Sequence, residues 1–217
     1  MDGSTVTAGR PPSLSEEARK TAILNAAERV FDSMGYGDAT MEEIARAAGM
    51  AKKSVYKHFP DKGALFGALV DSHDLLPIDE VVMSIGDATP VQRLRRMLEE
   101  LGAFILSPRQ VALTRLVISE ATKTPELSER FYSECVDKTQ IYVATELQRG
   151  LLTGADHQPA IDPDLLADMF LGLILGSLHL KALMLNQNID TMRDELERRV
   201  EMASMVMIGL FGAGVSD

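Results

Sequence analysis

The chain has 217 residues, a formal net charge of −10, one cysteine and no tryptophan. That length holds one large domain or two small ones with a sizeable core, and the lone Cys135, beside Glu134 and Asp137, excludes an intrachain disulfide or a cysteine-rich zinc site and reads as a structural thiol. Acidity argues against a general nucleic-acid coat, but the charge is segregated: residues 1–62 are near neutral, the acid surplus lies in 63–217, and Lys52, Lys53, Lys57, His58 and Lys62 crowd into a stretch whose only acid is Asp61.

In chain order, residues 1–14 lack an apolar signal core and are expected to form a flexible tail, so the protein is expected in the cytoplasm. Ser15 is a good N-cap for a first helix, whose apolar positions Ile23, Ala26, Ala27, Val30 and Phe31 recur at helical spacing and which ends near Met34 with Gly35 as its stop. Thr40 and Glu43 form a capping-box signature for a short helix over 41–48, closed by Gly49. A second short helix covers 52–58, and Pro60 and Asp61 break the chain before a helix at 62–73. Residues 75–90, with Pro77, Gly86 and Pro90, read as a joint. Helical periodicity then returns over 91–106, 109–122, 125–151, 163–185 and 191–211, and no alternating strand pattern is present. The longest apolar run, 165–178, contains Asp168 and falls short of the roughly 20 residues a membrane span needs, so it reads as a buried helix with no membrane partner. The expected fold is all-α: a three-helix helix-turn-helix domain over 15–62 and a helical bundle over 63–217.

Three positions meet the steric demands of a helix-turn-helix. Ala45 is small where the two short helices cross, Gly49 suits a left-handed reversal, and Val55 is the apolar residue the second helix must turn inward against Ile44 and Ala48. The run from Thr40 to Gly49, then Lys52, Ser54, Val55, Tyr56, His58, Phe59, Asp61, Lys62, Leu65 and Phe66, closely resembles the tetracycline-repressor family of transcription regulators. Two positions depart from it: Ala51 stands where a Ser or Thr cap is usual, and Lys53 where Gly is frequent. The resemblance implies a homodimer on double-stranded operator DNA. Thr40 and the N-terminus of the first short helix are expected to hold a phosphate, Lys52, Lys53, Ser54 and Lys57 to enter the major groove, and Tyr56, His58 and Lys62 to meet the backbone, with Tyr56 and Phe59 open to a core role instead.

The C-terminal half resembles one subgroup of the same family through 115–121, 124–127, Phe131, Tyr132 and 170–172. It implies a four-helix dimer interface from 163–185 and 191–211, and Gly172 and Gly176 face either that interface or a neighbour in the same subunit. An effector site is expected from polar groups on apolar helices, Arg115, Ser119, Glu120 and His179, with an apolar lining from Met97, Leu101, Phe104, Leu116, Phe170 and Ile174. An Arg115–Glu120 pair is the first expectation for those two. No catalytic set, metal cluster or phosphate-cradling loop is visible, so no enzyme activity and no cofactor is expected. The expected function is a repressor released from operator DNA by a small, largely apolar effector. The alternative is a DNA-binding regulator or architectural protein controlled by a protein partner.

Overall fold

The computed structural model describes residues 15–71, 89–150, 162–185, 187 and 189–211. The expected tail and most of the expected joint over 75–90 lie outside them. The described residues form helices only: α1 (Glu16–Asp38), α2 (Met41–Ala47), α3 (Lys52–His58), α4 (Lys62–Asp71), α5 (Pro90–Ile105), α6 (Pro108–Glu120), α7 (Pro125–Phe131), a π-helical segment (Tyr132–Asp137), α8 (Lys138–Gly150), α9 (Pro163–Ile174), α10 (Gly176–Leu185) and α11 (Ile189–Phe211).

Local chemistry sets most of these boundaries. Ser15 Oγ accepts from Ala18 N–H at 3.1 Å, and Gly35 interrupts α1 at φ 80° and ψ 164°, a backbone that only glycine adopts without strain. Thr40 and Glu43 close the capping box reciprocally. A second capping box, Thr89 with Gln92, opens α5 in the stretch read as a joint. Proline follows the cap residue at the start of α5, α6, α7 and α9, where its missing N–H is no loss.

Two apolar clusters result. The N-terminal one gathers α1 to α3 around Ile23, Phe31, Ile44 and Val55, and takes in Leu65, Phe66, Leu69 and Val70 of α4. An expected boundary at 62 therefore separates α4 from the core it packs into. The second cluster gathers α5, α8, α9, α10 and α11 around Leu98, Leu101, Leu147, Phe170 and Val200. Helix α6 belongs to both, with Leu113 and Val117 in the first and Val111 in the second. Among the described residues it thus packs into both clusters.

One expected single helix is bent and another runs on through a π-helical turn. The helix expected over 163–185 bends by 52° at Leu175, where Gly176 takes φ 25°. The helix expected over 125–151 loosens into the π-helical turn at Tyr132–Asp137. Periodicity registers apolar spacing and not the direction or winding of the axis, so neither feature was visible in the sequence pattern. No single helix among the described residues is long and apolar enough to cross a membrane, although two bent pairs reach the length and composition together.

Candidate nucleic-acid interface and cavity

Helices α2 and α3 meet as a tight pair because the turn between them is closed by backbone chemistry. Gly49 sits at φ 65°, its N–H donates to the Arg46 carbonyl at 3.1 Å, and the Met50 N–H reaches back to the Ala45 carbonyl at 3.0 Å. Ala45 is buried at the crossing, and Val55 and Ile44 are fully buried beneath α3. What α3 leaves outside is basic. Lys53 and Lys57 are exposed and carry no ion pair among the described residues. Lys52 is exposed but bound to Glu42 of α2, with its ammonium 5.6 Å from the centre of the Tyr56 ring. Ser54 is half-buried and Tyr56 exposed. Ala51 makes no side-chain cap, which leaves the first N–H groups of α3 open.

Three expected phosphate contacts are otherwise engaged. The Lys62 ammonium donates to the Tyr36, Gly37 and Ala39 carbonyls, which uses all its hydrogens, and it lies 4.4 Å from the centre of the Tyr36 ring. Burial lowers its pKa from the usual lysine value, against the opposing pull of Glu120 and Asp38. Lys62 thus ties α4 to the α1–α2 turn. The His58 side chain is only 4% exposed, with Nδ1 4.0 Å from Glu16 of α1. Thr40 Oγ1 is held by Glu43, donating to Oε2 at 2.8 Å and accepting from the Glu43 N–H at 3.2 Å. Conversely, Arg46 in the last turn of α2, 80% exposed and 3.8 Å from Glu43, was not among the expected contacts. Its signal was a cation one residue beyond the buried Ala45.

The second feature is a cavity of about 610 Å³ in the other half of the molecule. The C-terminal end of α5, the start of α6, the π-helical turn, α8, α9 and α10 surround it. Of the residues expected to hold an effector, Phe104 and His179 line it. Met97, Leu101, Phe170 and Ile174 do not: they are at most 3% exposed and fill the centre of the second cluster, where helices touch and leave no void. Arg115, Leu116 and Ser119 line a separate cleft of about 260 Å³ between α1, α4 and α6. Arg115 does not meet Glu120. It donates to the Ala182 and Leu183 carbonyls near the end of α10, at 2.8 Å for Leu183. Glu120 is buried at the other end of α6, against Gly35 and Gly37 in the last turn of α1 and 3.8 Å from Lys123. Gly172 and Gly176, weighed as interface positions, line the cavity.

Residues 23–69 match the family model of bacterial regulatory proteins, tetR family, and residues 92–213 match the AefR-like transcriptional repressor C-terminal domain. The chain belongs to the TetR family. A TetR-family transcriptional regulator from Mesorhizobium loti has the same fold at a TM-score of 0.74 and 28% identity, over 94% of this chain and 100% of its own. The HTH-type transcriptional regulator TtgR of Pseudomonas putida is 28% identical over 152 residues, 64% of this chain and 71% of TtgR. An HTH-type transcriptional repressor of Mycobacterium tuberculosis is 43% identical over 61 residues, and there the match spans 33% of that relative's length. This TetR-family chain is accordingly a DNA-binding transcriptional regulator, with α2 and α3 as its helix-turn-helix.

Proposed function

We propose that this regulator is a homodimeric repressor whose recognition helix α3 enters the major groove of operator DNA in the cytoplasm, and which a small, largely apolar effector releases. The observation that carries the reading is the cavity beside α6. Its volume falls within the roughly 300–1,000 Å³ usual for small-molecule sites, and α6 shares its apolar residues between the cavity half and the helix-turn-helix half. A ligand that shifts α6 therefore shifts both recognition helices of a dimer, which must enter grooves about 34 Å apart. Lys53 and Lys57, with Ser54, are the base-reading residues, and Arg46, Lys52 and Tyr56 approach the phosphates.

Pairing of two copies is supported by apolar surface that stays exposed among the described residues. Leu165, Met169 and Leu173 form one exposed stripe on α9, and Met184 of α10 and Met202 and Met205 of α11 are exposed as well. The test is to titrate a candidate effector into the protein with and without saturating operator DNA. Linkage requires that an effector weakening DNA binding about a hundredfold binds the DNA-free protein better by the same factor, a coupling of roughly 2.7 kcal/mol. Equal affinity in both titrations for every cavity-binding compound would remove the ligand-released reading and leave control by a protein partner.

A further inference from the structure

Two polar side chains that line the cavity carry groups with no protein partner. Gln110, in the first turn of α6, is 7% exposed, and among the described residues its side-chain amide makes no hydrogen bond, although its backbone N–H and carbonyl both do. His179 of α10 has a buried Nε2 that no group satisfies. The buried Nε2 forfeits its water without a replacement, which costs free energy unless something else fills the place. The charges around them are balanced. Lys138, the lining cation, is bound to Glu134, and Asp168 is the lining anion. The cavity therefore has no surplus positive charge to hold a carboxylate or phosphate, and burial holds the His179 pKa below its usual value, which keeps the ring neutral.

The rest of the wall is aromatic and apolar. Of seven phenylalanines and four tyrosines in the chain, two of each line this one cavity: Phe104, Phe131, Tyr132 and Tyr142. We propose that the cavity selects a neutral hydroxyaromatic molecule, its ring packed among these side chains and its hydroxyl groups hydrogen-bonded to the Gln110 amide and the His179 imidazole. A hydroxyl both donates and accepts, so it satisfies either end of the amide and either tautomer of the ring, which a carbonyl cannot do. This inference rests on the cavity being the effector site.

Isothermal titration of the full-length protein with three probes on one biphenyl frame separates the two ideas. The probes are para,para′-dihydroxybiphenyl, its dimethyl ether, and the corresponding dicarboxylate. The diol is expected to bind about tenfold more tightly than the ether, the worth of one or two hydrogen bonds to buried groups, and the dicarboxylate most weakly. Gln110→Met and His179→Phe, which keep the volume and remove the polar group, are expected to erase most of that advantage while leaving the ether's affinity unchanged. An ether that binds as well as the diol, a dicarboxylate that binds best, or a diol advantage intact in both variants overturns the proposal and leaves the cavity reading standing. Binding of none of the three removes the cavity reading and this inference with it. The comparison of the three probes on the unmodified protein decides the matter even if a variant fails to fold.

Discussion

Arg109, at the start of α6, donates its Nε–H to both carboxylate oxygens of Glu28 on α1, at 2.8 and 3.0 Å. The pair joins the helix that carries Gln110 into the cavity to the first helix of the DNA-binding unit. Its side chains are 44% and 30% exposed, so solvent and salt screen it and its coupling is expected at about 0.2–1 kcal/mol. A double-mutant cycle of Arg109→Ala and Glu28→Ala, read from urea unfolding at low and high salt, checks this. A coupling that stays large at high salt would mean that the ion pair, and not the apolar contacts of Leu113 and Val117, holds the two ends together.

Lys62→Met is expected to act on stability before it acts on DNA. The substitution keeps an unbranched side chain of similar length but orphans the Tyr36, Gly37 and Ala39 carbonyls, at a cost of about 1–3 kcal/mol. The measurement is the urea midpoint beside the salt dependence of operator affinity. An unchanged midpoint with a salt slope shallower by about one would make Lys62 a phosphate ligand after all.

Gly49 offers a clean test of backbone strain. A Cβ placed there meets nothing within 4 Å, so the cost of any side chain comes from φ 65° alone. Gly49→Val is expected to destabilise by about 1–2 kcal/mol and Gly49→Asn by less, since Asn tolerates the left-handed region. Equal losses for Asn and Val, read from thermal midpoints, would show that something other than backbone conformation sets the cost.

Burial lowers the pKa of His179 from its ordinary 6.5. The unfolded chain therefore takes up a proton at a higher pH than the folded one, and the stability this group contributes is full above 6.5 and lost as pH falls through the folded value. His179→Phe is expected to flatten the fall in urea midpoint between neutral and mildly acidic pH. A variant as acid-sensitive as the unmodified protein would place that sensitivity elsewhere.

Gln110 and Lys62 show where reading along the chain stops. Gln110 follows Ser107 and Pro108 and looks like any polar residue in a first helical turn, because its burial is set by helices packed against α6, among them α10, which arrives much later in the chain. Lys62 belongs by composition to the basic cluster of α3, yet its three carbonyl partners lie 23 to 26 residues upstream. Met97, Leu101 and Phe104 share one helix and one apolar alphabet, and only the neighbouring helices decide that the first two pack solid while the third faces a void.

What the sequence determined by itself was therefore local: the caps at Ser15 and Thr40, the stop at Gly35, the reversal at Gly49 and the inward Val55, all of which act within a turn or two of the chain. Those features define the helix-turn-helix and its basic face, and with them the family. The tertiary structure alone decided which polar side chains are buried without partners, which cations are already engaged, and that α6 serves two cores at once. Such properties arise from surfaces brought together across long stretches of chain, where the sum of many packing contacts, and not any local preference, sets each side chain's surroundings.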